Sequence, residues 1–141
     1  MAAQRPGLTQ ALGGKVKFSV DEELDIEWFA RDRSGVTALF LTAGAGFFPA
    51  DWHNDDQVLE QIFALIPIPR WGSSGVMQDY ADAGLFVYDW NGSEYRLVQL
   101  PNTLPTKELL GLVDSLSSVP VFDANFEPGD VITIDTAVLA T

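Results

Sequence analysis

Five carboxylates fall close together at Asp21, Glu22, Glu23, Asp25 and Glu27, the densest acidic stretch of the chain. Such a group can draw cations through its summed field. It can also supply proton donors and acceptors. However, acidic residues number 20 against 8 lysines and arginines, so no single pair stands out as acid and base. His53 is the one histidine and sits in the run Asp51-Trp52-His53-Asn54-Asp55-Asp56. Zinc sites draw on several Cys or His ligands at recognisable spacings, and the chain has no Cys, so no metal site is expected here. Asp55 and Asp56 have a sufficient role at a helix start, where the dipole favours carboxylates. Gly44-Ala45-Gly46 follows a strand but lacks the remainder of a dinucleotide fingerprint and the Lys-Ser/Thr of a phosphate loop. It reads as a tight turn that tucks Phe47 and Phe48 into the core. Ser73 and Ser74 lie between glycines in a loop, without the G-x-S-x-G setting of an activated serine. No cofactor is expected. Tryptophan is enriched at protein-binding hot spots, and Trp52 and Trp71 fall in loops, whereas Trp28 lies in a strand and Trp90 abuts a turn. The candidate partner-binding set is therefore Asp21, Glu22, Glu23, Asp25, Glu27, Trp52 and Trp71.

The elements that must position these residues centre on residues 26–49. Residues 26–31 form a strand with Ile26, Trp28 and Ala30 on one face and Glu27, Phe29 and Arg31 on the other. Asp32-Arg33-Ser34-Gly35 is a turn, with Asp bonding the backbone from the first position and Gly taking a left-handed conformation at the last. Residues 36–43 are apolar on both faces, as in a strand inside a sheet. Before this hairpin, residues 15–20 alternate, with Val16, Phe18 and Val20 on the buried side. After it, Asn54 caps a helix to about Ile66, with Gln57 completing a capping box. Its apolar stripe is Leu59, Ile62, Phe63 and Ile66, and Pro67 and Pro69 end it. Residues 70–84 read as a long loop, with a short helical turn near Gln78 to Ala83. Asn91-Gly92 joins two strands in a hairpin whose two-residue turn opposes Tyr88 with Tyr95. Thr106 caps a second helix, with Leu109, Leu112, Val113 and Leu116 as its stripe. Residues 119–122 and 131–134, flanking a turn at 127–130, add two short strands. The expected fold is α+β, with two helices packed on one face of a largely antiparallel twisted sheet of about five to seven strands. Residues 1–14 form a flexible arm, and residues 15–141 form a single domain.

Composition narrows the function. The net charge of −12 repels phosphate backbones and anionic lipid and favours a basic protein as partner, which argues against nucleic acid and membrane surfaces. The absence of cysteine suits a reducing cytoplasm, and residues 1–14 lack the apolar run of a secretory signal. The segment DIEWFARDRSGVTALFLTAGAGFFP resembles a pattern of small, acidic, uncharacterised bacterial proteins, in which an acidic residue precedes Trp-Phe, a D-x-x-G turn follows, and a strand runs into a Gly-rich loop ending in Pro. The resemblance covers residues 25–49, with an echo in the later hairpin. Some proteins of this kind are immunity proteins that neutralise a toxin. It implies a non-enzymatic binding role and no catalytic residues. The alternative is a small ligand-binding domain or enzyme, with a pocket between the 44–52 and 70–84 loops.

Overall fold

The computed structural model describes residues 16–134 and Leu139, so the arm assigned to residues 1–14 lies outside the described residues. Among the described residues, the fold is α+β, with six strands and three α-helices. Strands β1 (Phe18–Val20), β2 (Glu27–Arg31), β3 (Thr37–Leu41) and β4 (Phe47–Pro49) come first. A 3₁₀ turn (Trp52–Asp55) leads into α1 (Asp56–Leu65), and α2 (Val76–Asp82) follows. The chain then forms β5 (Phe86–Trp90), β6 (Tyr95–Gln99) and α3 (Lys107–Asp114).

The strands make a four-stranded sheet of order β2-β3-β5-β6 and a two-stranded sheet of β1 and β4. The larger sheet is mixed, which corrects the expectation of a largely antiparallel one. Both hairpins are antiparallel, but β3 and β5 run parallel, with Leu39 opposite Val87 and Phe40 opposite Tyr88. The physical reason is the connection. Residues 42–85 hold β4, α1 and α2, and a helical crossover of this length returns the chain in the same direction.

Strand alternation divides the core between the two faces of this sheet. Trp28, Ala30, Ala38, Phe40, Tyr88 and Tyr95 point to one face and meet Phe18, Phe47, Phe48, Phe122, Phe126 and Ile132. The rings interlock there: Trp28 stacks on Phe40 at 4.5 Å, Phe40 on Tyr88 at 4.9 Å, and Tyr95 stands edge-on to Phe47 at 4.9 Å. Such pairs add about 0.5–1.5 kcal/mol each beyond area burial. The polar tips of these rings are satisfied: the Tyr95 hydroxyl donates to Phe47 O at 2.7 Å and accepts from Trp28 Nε1 at 3.2 Å, and the Tyr88 hydroxyl donates to Asp130 O at 3.0 Å. Phe29, Leu39 and Val87 point to the other face and cluster with Leu59, Ile62 and Ile66 of α1 and its C-cap, Tyr80 of α2, and Leu109 and Val113 of α3. β3 is thus buried on both sides, as its unbroken apolar run predicts.

The Asp32-Gly35 turn forms as the sequence predicts, with Gly35 at φ +84°. Thr106 caps α3 by accepting from Leu109 N at 3.1 Å. Four local expectations are corrected. Val20 is 48% exposed, so the alternation of the first strand stops at Phe18. Asn54 lies within the 3₁₀ turn instead of capping α1, and the cap position, Asp55, makes no side-chain bond to its own helix. The Asp55 carboxylate accepts from Ser117 N and Oγ, and this partner 62 residues away displaces the local cap. The second hairpin pairs Trp90 with Tyr95 and Tyr88 with Leu97, because Asn91 Oδ1 accepts from Ser93 N and Glu94 N and closes a longer turn. Residues 119–122 and 131–134 form isolated bridges, Val121 to Arg31 and Ile132 to Tyr95, in place of strands.

Candidate functional site

The acidic loop is built by one buried threonine. Thr42, 1% exposed at the end of β3, accepts from Ile26 N at 2.9 Å and donates from its hydroxyl to Leu24 O at 3.4 Å. Its carbonyl accepts from Ala45 N and Gly46 N, so the same residue anchors the glycine loop. At the far end, Asp21 Oδ1 accepts from Glu23 N at 2.9 Å and closes a turn. Glu22, Glu23 and Asp25 are exposed, Asp21 and Glu27 half-buried. The glycine loop runs beneath Asp25: a Cβ on Gly44 would stand 3.4 Å from Asp25 Oδ1. Trp52 holds the backbone of Glu27, donating from Nε1 to Glu27 O at 3.2 Å, and packs against both core clusters.

The segment after α1 is ordered by a buried carboxylate. Asp79, 2% exposed in the first turn of α2, accepts from Arg70 N at 2.9 Å and from Arg70 Nη1 at 2.8 Å. Ser73 adds bonds to Arg70 O and from Gly75 N. This pins the loop that carries Trp71, which is 64% exposed. Asp79→Ala is expected to cost about 2 kcal/mol, the range for removing charged hydrogen bonds from a buried group. Amide hydrogen exchange at Trp71 to Gly75 should rise with it. Unchanged protection in that loop would remove Asp79 from this role.

These two loops meet. A cleft of about 450 Å³ is lined by Asp25, Glu27 and Leu41 on one side and by Trp71, Gly72, Ser73, Val76 and Tyr80 on the other. Of the candidate residues, the structure brings Asp25, Glu27 and Trp71 to this one place. Asp21, Glu22 and Glu23 form the turn that precedes Asp25 in the chain and do not line the cleft, and Trp52 supports Glu27 without lining it either. The 70–84 segment forms a wall of it, while the opposite wall is 25–27 and Leu41 in place of the 44–52 loop. Sequence reasoning missed Thr42, Asp79 and Tyr80. Tyr80 was findable, since Val76, Tyr80 and Ala83 recur at helical spacing; the partners of Thr42 and Asp79 leave no local pattern.

Electrostatically the cleft is unbalanced. Among the described residues, no lysine or arginine pairs with Asp25 or Glu27; Arg31 pairs with Asp114, Arg33 with Asp123, Arg70 with Asp79 and Arg96 with Glu94. Burial pushes the Glu27 carboxyl up from its ordinary value, and Asp25 adds to the rise. Tyr80 is fully buried, its hydroxyl has no hydrogen-bond partner among the described residues, and burial together with Glu27 and Asp79 holds its phenol well above the usual range. A carboxyl whose folded pKa is raised favours folding fully below its unfolded value of 4.5, and that contribution is lost as pH rises through the folded value. At neutral pH the charged Glu27 therefore weighs against the fold. Glu27→Gln should raise Tm at pH 7, and the gain should close as the wild-type carboxyl is protonated on acidification. A gain of equal size at both ends of that range would show that charge is not its cause.

A second cleft, of about 460 Å³, lies where Val36, Phe86, Leu100, Leu104, Pro105 and Leu110 converge; Glu127 is its one titratable lining residue. Among the described residues, no group of three His, Asp or Glu side chains is arranged to hold a metal ion. Compared with models of known protein families, with characterised proteins and with solved structures, the chain matches none of them.

Proposed function

We propose that this chain is a non-enzymatic protein-binding module of the inhibitor or immunity type, acting in the cytoplasm by covering a basic surface on a partner protein. The observation that carries this reading is the meeting of Asp25 and Glu27 with the exposed Trp71, from segments more than 40 residues apart, with a turn that presents Asp21, Glu22 and Glu23 just before Asp25 in the chain. The carboxylates steer a cationic partner and select it, while the aromatic anchor slows its release. Ordering of both loops before binding, by Thr42 and by Asp79, keeps the entropic cost of docking low.

The test begins with a tagged pull-down from the source lysate, washed at low and at high salt, with mass spectrometry of what remains. A basic protein held at low salt and partly released at high salt is the expected capture. Reversing Asp21, Glu22 and Glu23 to Lys should then weaken its affinity about tenfold or more, chiefly through the association rate, and flatten the salt dependence. An unchanged affinity would take the acidic turn out of the interface.

The second cleft supports a different reading, a small ligand-binding domain, because its lining is largely apolar and of ligand size. A thermal-shift screen of apolar compounds tests that reading; stabilisation cancelled by Leu110→Arg would favour it.

A further inference from the structure

We infer that the cleft between Glu27 and Trp71 receives one arginine side chain of the basic partner, its guanidinium held by the carboxylates of Asp25 and Glu27 and its face laid on the Trp71 indole. This rests on the docking reading above and deepens it. Three independent features of the cleft converge. Two carboxylates share one wall without a cation among the described residues, and Glu27 is half-buried, where an unpaired charge is costly. Trp71 stands at the other wall, its indole exposed on a loop whose backbone is tied down by Asp79 through Arg70. Tyr80, also in the lining, carries a buried hydroxyl with no hydrogen-bond partner among the described residues.

The chemistry selects the occupant. A half-buried carboxylate beside a second one favours a cation, and an unpartnered phenol oxygen can accept another donor. A guanidinium offers five N–H donors in a planar fork, sheds water more readily than an ammonium, and stacks on an aromatic face. Lysine would satisfy the charge but would leave the indole face and the third acceptor less well used. A calcium ion would want six to eight oxygen ligands, whereas Leu41, Val76 and Trp71 make much of this lining apolar. The apolar lining suits the three methylenes of the arginine stem.

The experiment titrates the full chain with N-acetyl-arginine methylamide and follows the indole N–H resonance of Trp71. The neutral citrulline analogue and the lysine analogue serve as comparisons. The expected result is saturable binding in the millimolar range for the arginine probe, weaker binding for lysine and none for citrulline. Glu27→Gln should weaken it about tenfold while raising Tm, so that the loss cannot be ascribed to misfolding. Trp71→Ala, read by calorimetry, should weaken it similarly. Equal binding of citrulline, or no shift at Trp71, would overturn the inference. The captured partner separates this inference from the docking reading. If the reversal of Asp21, Glu22 and Glu23 weakens the partner while Glu27→Gln and Trp71→Ala leave it unchanged, the cleft inference fails and docking stands. If the arginine probe binds but no basic protein is captured, the partner side chain is overturned as the source of the cation.

Discussion

Gly84→Ala is expected to lower the unfolding free energy by about 2–5 kcal/mol, the sum of a left-handed backbone penalty and a steric one. Gly84 ends α2 with φ +90°. Its N–H donates to Ala81 O at 3.0 Å, and the next N–H, of Leu85, donates to Tyr80 O at 3.2 Å, which is the pairing that closes a helix on a left-handed glycine. A Cβ there would press on Pro105 N and stand only 2.5 Å from Leu104 C. Both are backbone atoms, so no rotamer change relieves the contact. The strain would pass into Leu85 and Phe86 at the start of β5, a central strand, and back into the helix that carries Asp79 and Tyr80. Gly92→Ala is the control. Gly92 also has positive φ, at +102°, but nothing within 4 Å would meet its Cβ, so only the backbone penalty of about 1–2 kcal/mol applies. Urea unfolding of the two variants measures the difference. Equal losses would mean that the approach to Pro105 is not the constraint.

Asp32→Ala should cost about 3 kcal/mol, mostly from backbone donors left without an acceptor. Asp32 is 3% exposed. Its Oδ1 accepts from Ser34 N at 2.9 Å and Val36 N at 3.0 Å, and its Oδ2 accepts from Phe126 N at 3.1 Å. The first two bonds shape the β2–β3 turn, where water can replace a lost partner. The third reaches across 94 residues to the amide of a fully buried phenylalanine, where water cannot. Asp32→Asn keeps one acceptor oxygen and turns an NH₂ toward a donor, so it should fall between wild type and alanine. Hydrogen exchange at Phe126 should rise in both variants. A stable Asp32→Ala protein with Phe126 still protected would refute the assignment.

The contrast between those two roles of Asp32 also marks how far the sequence could be read. The turn was legible, because Asp at its first position and Gly at its last act over four residues. The bond to Phe126 was not, because nothing near Phe126 signals a carboxylate from the first hairpin. The same division holds elsewhere. Thr106 caps the helix that begins beside it, while Asp55 is drawn from its local duty by Ser117. The Asn91 hairpin was legible as a hairpin, and its register was misjudged by two residues. A two-residue shift preserves the face of every side chain, so Tyr88 and Tyr95 still meet the same core. The parallel pairing of β3 with β5 was implied by the helices between them, yet hairpin signals on either side masked it. At the cleft, the carboxylates and the loop tryptophan each stood out by type. Their meeting depends on that crossover, and spacing along the chain carries no trace of it.

Two of the isolated bridges made by the C-terminal segment, those to Arg31 and Tyr95, set a timetable for synthesis. Arg31 N donates to Pro120 O and Phe122 N to Arg31 O along the outer side of β2, while Tyr95 and Ile132 exchange two bonds along the outer side of β6. Each margin of the large sheet is therefore bridged, at Arg31 and at Tyr95, by residues made after α3. A nascent chain that has emerged as far as α3 already holds all four strands, but it shows open strand edges and lacks the Phe122 and Phe126 rings over Phe40 and Tyr88. That is the state in which a sheet protein is most prone to pair with its neighbours. Pausing of translation before residue 120 would prolong that exposure, and a chaperone near the ribosome exit would find its target there.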